Sequence, residues 1–212
     1  MLKRGKVFVN NTWNKVIYKI WSPIYDSIFK GLFFNVRKQI FNEISFKKED
    51  KILFVGVGTG ADIELIDHDN LDITAIDFSP DMLNKARAKF NISSVNFLEM
   101  DAQDMNFKNE SFDYVFAHLV LSVVPNADKC FQEMVRVLKP EGKIIIFDKF
   151  APKNKQLSLP KKLLRPIIGI LGTDIGLNFE KIYYRNNQKL KIEEDVPAML
   201  NGMYRKIIIR KI

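Results

Sequence analysis

Three glycines spaced two apart, Gly56, Gly58 and Gly60, follow directly on the apolar run Ile52-Leu53-Phe54-Val55, with Val57 and Thr59 between them. Glycine lets the backbone come close to a ligand, and the start of a helix offers N–H groups that have no internal partner. A short apolar run broken by such a turn reads as a buried strand, and Ile63, Leu65 and Ile66 place a helix near 60–68. Strand, glycine turn and helix open a nucleotide-binding βαβ unit. Asp77 stands at the end of the next strand, where a carboxylate can accept hydrogen bonds from both ribose hydroxyls of a nucleoside. Asp101 follows a third strand and His118 a fourth, so further titratable groups fall at the same ends of successive strands.

The elements that must position these residues alternate in regular order. Strands are predicted near 51–55, 72–77, 95–99, 112–117 and 142–148, and helices near 60–68, 80–90 and 127–139. Ser79 caps the second helix with Pro80 in its first turn, and Lys139-Pro140-Glu141-Gly142 ends the third. Such alternation predicts an α/β fold with a doubly wound, mostly parallel sheet that binds ligands at the carboxyl ends of its strands. Beyond Phe150 the pattern gives helices at 160–171 and 174–187. Two strands near 189–196 and 203–211 then bring the sheet to seven, the last of them antiparallel. Residues 12–45 read as a basic, aromatic, amphipathic helical pair, suited to packing on the domain, lidding a pocket or lying on a membrane surface. The expected organisation is an N-terminal helical extension, 1–48, and a ligand-binding unit, 49–212, in a single globular domain.

Composition bounds the function classes. One cysteine, Cys130, excludes an internal disulfide and, with only two histidines, argues against a zinc site; Cys130 is expected to be buried and His68 to face solvent. No signal peptide or membrane span is read, so the expected location is cytoplasmic. Charge is segregated. Residues 1–48 hold ten Lys/Arg against two Asp/Glu, 49–150 hold ten against eighteen, and 151–212 hold thirteen against five. An acidic centre suits a cationic ligand, and basic flanks suit an anionic partner or form solvated lysine faces.

The tight G-x-G-x-G spacing, followed by Asp77-Phe78-Ser79 and by Asp101-Ala102, resembles the class I S-adenosylmethionine-dependent methyltransferases over about residues 51–150. The resemblance implies that Gly56, Val57, Gly58, Thr59 and Gly60 hold the methionyl part of S-adenosyl-L-methionine and Asp77 the ribose. It places Phe78 and Met82 beside the adenine, and Asp101 and Ala102 at its polar edge. Ala117, His118 and Leu119 would line the methionyl end, and the acidic neighbourhood is consistent with a sulfonium cation. The later pieces Leu119 to Asn126 and Glu133 to Lys143 are similar to the ubiquinone/menaquinone-biosynthesis and bacterial phosphatidylethanolamine N-methyltransferases. Ser122-Val123-Val124-Pro125, Phe147-Asp148-Lys149-Phe150, Gly172-Thr173-Asp174-Ile175 and Tyr25-Asp26 look more like the lipid group.

In-line methyl transfer asks the protein mainly to align and desolvate the reactants. An oxygen or carbon acceptor wants a general base, for which His118 is the histidine in place; the alternative is a polar side chain packed behind the residues that touch the ligand. Tyr25 would hydrogen-bond the cofactor carboxylate or the acceptor if the N-terminal helices fold over the site, and otherwise packs in the lid. The expected activity is methylation of a small amphipathic molecule or a lipid headgroup, with peripheral attachment to an anionic inner-membrane surface. The alternatives are a quinone precursor as acceptor, or a cofactor-binding module without turnover. Nucleic acid is not expected, because Ala117-His118-Leu119-Val120 stands where base methyltransferases often carry Asn/Asp-Pro-Pro-aromatic. Oligomeric state is open.

Overall fold

Every second residue along the central strands points to the opposite face of a sheet, and here both faces are apolar. The computed structural model describes residues 31–68, 70–90, 95–151 and 176–212. Its elements run α1 (Gly31–Asn42), β1 (Lys51–Val55), β2 (Asp72–Asp77), α2 (Pro80–Lys89), β3 (Val95–Glu99) and β4 (Phe112–His118). They continue with α3 (Ala127–Val137), β5 (Leu138–Lys149), α4 (Phe179–Asn186), β6 (Leu190–Met199) and β7 (Tyr204–Lys211). The sheet order is β3-β2-β1-β4-β5-β7-β6; the first five strands are parallel, and β7 is antiparallel to both β5 and β6. The chain starts at β1, winds outward to β3, then returns to β4 on the other side of β1. That reversal opens a crevice at the carboxyl ends of β1 and β4.

Leu53, Val55, Val115, Ala117, Ile144 and Ile146 face one way and pack with Phe131 and Met134 of α3 and Phe179 and Ile182 of α4. Ile52, Phe54, Phe116, Ile145 and Phe147 face the other way, against Phe33, Ile40 and Phe41 of α1 and Leu83 of α2. Cys130 is fully buried in the first cluster, and burial pushes its thiol well above the ordinary range. Packing is the role it fills.

Several expectations shift. The helix near 60–68 is a single 3-10 turn, Ile63–Leu65. Its buried residues Ile63 and Ile66 are three apart, one 3-10 turn, and Ile66 is already extended at φ −119°. The loop glycines therefore do not lead into a helix N-terminus. The third helix ends at Val137, because Leu138 is extended and pairs with Phe112 before Pro140. The helix placed at 174–187 begins only at Phe179, where the Asn178 side chain accepts from Lys181 N. His68 is half-buried rather than solvent-facing, its ring edge-on to Phe90 at 5.8 Å. Residues 1–30 and the helix at 160–171 lie outside the described residues.

Candidate active site

The glycine turn leaves β1 with Gly58 at φ +56°, a conformation that favours glycine, and a Cβ there would meet nothing within 4 Å. The turn thus presents bare backbone to open space. Gly60 serves differently. A Cβ on it would lie 2.6 Å from the Phe90 ring, so this glycine allows α2 and its aromatic cap to close on the loop.

Asp77, at the carboxyl end of β2, braces the same turn: Oδ2 accepts from Gly58 N at 2.8 Å and Oδ1 from Ser79 N at 2.8 Å. Each carboxylate oxygen has a second lone pair, so acceptor capacity remains for a ligand. Burial pushes the Asp77 carboxyl above its usual range, against the lowering effect of these backbone donors. Asp101, after β3, is engaged by Gln103, whose backbone N and Nε2 each lie 2.9 Å from Oδ1. Gln103 Oε1 in turn accepts from Asn126 N at 2.8 Å, and Asn126 caps α3. Gln103 had no sequence signal, because its bonds join two loops that meet only in the fold.

The segment after β4 forms the opposite wall. Leu119 has φ +59°, strained for a branched side chain, and its N–H donates to Phe147 O at 2.7 Å. The fully buried Asp148 accepts from Ser122 N at 3.0 Å and from Lys149 N at 2.7 Å, which pins the loop. Burial raises the Asp148 carboxyl pKa as it does that of Asp77. This Asp148–Ser122 contact joins two sequence pieces singled out separately, Phe147-Asp148-Lys149-Phe150 and Ser122-Val123-Val124-Pro125.

Between these walls lies an open cleft enclosing about 880 Å³, part of it exposed to solvent. Gly56, Val57, Gly58, Thr59, Asp77, Phe78, Met82, Asp101, Ala102, His118 and Leu119 line it. Gly60 and Ala117 stand behind the lining, Gly60 against Phe90 and Ala117 fully buried in the sheet core. Tyr25 lies outside the described residues.

Two charged lining residues, Arg37 and Asp62, were not among the site residues read from the sequence. Asp62 Oδ1 is 3.0 Å from His118 Nδ1 and 3.4 Å from Arg37 Nε. Burial opposes ionisation of Asp62, but the His118 and Arg37 charges outweigh it and hold the carboxyl at about 2. The His118 ring has no exposed surface; Phe41, Phe116 and Phe147 surround it at 5.7–6.0 Å, and Nε2 has no hydrogen-bond partner. As placed, the imidazole braces Asp62 more directly than it meets a ligand.

The residues present fit an adenosyl sulfonium ligand. A Cβ-sized space lies over Gly58, Asp77 keeps acceptor capacity beside it, Phe78 and Met82 give an apolar wall, and three carboxylates face the cleft.

The family described as "Methyltransferase domain" matches residues 53–146. A phosphatidylethanolamine N-methyltransferase from Cereibacter sphaeroides is 31% identical over 191 residues, covering 88% of this chain and 92% of that protein. A demethylmenaquinone methyltransferase from Staphylococcus aureus is 31% identical over 143 residues, 64% of this chain and 59% of the other. Among solved structures, a SAM-dependent methyltransferase from Thermotoga maritima superposes with a TM-score of 0.66 at 16% identity, covering 92% of this chain and 99% of that one.

Proposed function

Because the chain belongs to the class I S-adenosylmethionine-dependent methyltransferases, we propose that its cleft binds S-adenosyl-L-methionine and methylates the amine of an ethanolamine-type lipid headgroup. The observation that carries the lipid reading is the extent of similarity. The match to the phosphatidylethanolamine enzyme runs through nearly the whole of both chains, whereas the quinone-enzyme match leaves two-fifths of that protein uncovered.

The donor supplies an electrophilic methyl group on a sulfonium centre. Gly56 to Gly60 give the close backbone approach, Asp77 accepts from the ribose, and Asp101 and Ala102 meet the base edge. Phe78 and Met82 flank the adenine, and Leu119 closes the methionyl end. Asp62, held at about 2, is a carboxylate at every working pH and too weak a base to remove a proton, but it attracts a cationic headgroup. That chemistry favours an amine, which sheds its proton to solvent, over a carbon or oxygen acceptor that needs a base within the cleft. His118 acts through Asp62, and Tyr25, outside the described residues, is assigned by the sequence resemblance to the cofactor carboxylate or the acceptor.

The test is incubation with labelled methyl donor and vesicles containing phosphatidylethanolamine, beside a parallel sample with demethylmenaquinone. Label is expected in phospholipid; label in the quinone alone transfers the assignment to the runner-up. Attachment to anionic vesicles is expected to be salt-sensitive and to rest on the basic N-terminal and 151–175 segments. Strand β7 contributes little to it, because Arg205, Lys206, Arg210 and Lys211 are already paired with carboxylates. Sedimentation that is equal at low and high salt would remove the electrostatic part of this reading.

A further inference from the structure

Two of the described arginines, Arg136 and Arg205, grip a carboxylate at two points. Arg136 places Nε and Nη2 on the Glu133 carboxylate and the rest of its fork on Phe107 O, Met105 O and Asn109. Arg205 grips Asp195 through Nε and Nη2 and turns Nη1 to Glu180. Arg37 differs. It is only 7% exposed, its guanidinium lies 5.9 Å from the Phe33 ring, and its contact with Asp62 is a single 3.4 Å approach that leaves Nε without a hydrogen bond. Asp62 spends its shorter contact on His118. The Arg37 fork therefore has no bidentate partner among the described residues, although it lines the cleft.

A guanidinium is the side chain best shaped for two-point binding of carboxylate or phosphate, and a buried one left unsaturated calls for an explanation. Arg37 is also the arginine or lysine among the described lining residues, set against Asp62, Asp77 and Asp101. A cation placed in so acidic a cleft marks where negative charge on a ligand belongs. We propose that Arg37 is the anion-binding residue of the cleft, pairing with a carboxylate or phosphodiester of a bound ligand while Asp62 and Phe33 hold its side chain in place. This rests on the reading that the cleft receives donor and acceptor. It leaves two sources for the anion, the amino-acid carboxylate of the donor and the phosphodiester of the headgroup.

Calorimetry separates them. S-adenosylhomocysteine carries the carboxylate and methylthioadenosine does not, so both are titrated into wild type, Arg37→Gln and Arg37→Lys. The double variant Arg37→Gln/Asp62→Asn is included because it leaves no buried carboxylate stripped of its cation. If the donor carboxylate is the ligand, Arg37→Gln weakens S-adenosylhomocysteine by about 10- to 100-fold and leaves methylthioadenosine unchanged. If the phosphodiester is, S-adenosylhomocysteine is unaffected, and glycerophosphoethanolamine binding to the S-adenosylhomocysteine complex falls by a similar factor. Arg37→Lys keeps the charge but loses the fork, and is expected to recover only part of either loss. Unchanged binding of all three probes in the folded variants overturns the proposal, as does equal weakening of both nucleosides in the double variant. A wild type that ignores glycerophosphoethanolamine, together with a selective loss of S-adenosylhomocysteine, keeps Arg37 as the anion site and removes the lipid reading alone.

Discussion

The β6–β7 hairpin and the cleft both bury charge, and they complete it to different degrees. On β7, Arg205 is 4% exposed and meets both Asp195 and Glu180, with the Phe150 and Phe179 rings beside it at 5.4 and 5.5 Å. Its neighbour Lys206 pairs with Glu43 of the segment after α1 and with Glu194 of β6. In the cleft, Arg37 makes one long contact, His118 Nε2 makes none, and Asp77 is braced by backbone N–H groups rather than by a cation. Two-point ion pairs fix the antiparallel edge of the sheet: Arg205 grips Asp195 through Nε and Nη2, and Lys206 meets both Glu43 and Glu194. Incomplete ones, set in a concave site, are where a ligand finds its partners.

The contrast can be broken first on β7. Arg205→Ala strips two partly buried carboxylates of their cation and is expected to cost about 3 kcal/mol in urea unfolding, with S-adenosylhomocysteine affinity unchanged in the folded fraction. A loss of affinity as large as the loss of stability would show that the two regions are not separate. Asp148→Ala tests the border between them. Freeing the Ser122 and Lys149 N–H groups costs about 1–3 kcal/mol for each donor, and because the Leu119–Pro125 wall is released, ligand binding falls with stability.

Asp62 sharpens the comparison through pH. Its folded-state pKa, about 2, lies below the ordinary carboxylate value, so its contribution is complete above about pH 4 and is lost as pH falls through about 2. Wild type is expected to exceed Asp62→Asn by about 2 kcal/mol at neutral pH, with the gap closing between about pH 4 and 2 in acid titrations of stability. A gap that widens on acidification would reverse the assigned sign. The smallest effect belongs to the solvent-exposed Arg185–Asp128 pair, where Arg185→Ala is expected to shift stability by under about 0.5 kcal/mol.

The parallel strands were legible because each is a short apolar run bounded by a turn signal. Asp77 and the glycines were legible because strand, turn and carboxylate are close in the chain. The helix expected after the glycines was not, since Ile63, Leu65 and Ile66 satisfy helical and 3-10 spacing alike until the short link to β2 decides between them. Arg37 read as one more cation in a basic amphipathic stretch, and Asp62 as one more acid after the glycines. Their significance arises only when α1 docks through Phe33, Ile40 and Phe41 and carries Arg37 to the end of β1. His118 was legible at the end of strand four, but the Phe41, Phe116 and Phe147 cage around it was not, because ring packing across α1, β4 and β5 leaves no local trace.

The central claim is that the acidic crevice beyond β1, β2 and β4 is the nucleoside pocket, with Asp77 at its ribose end. Titration of S-adenosylhomocysteine into wild type and Asp77→Ala tests it most directly. The account predicts saturable one-to-one binding to wild type and a loss of about 100-fold or more in the variant, as expected for two charge-assisted hydrogen bonds. Equal affinity in the two proteins, with both folded, would contradict it.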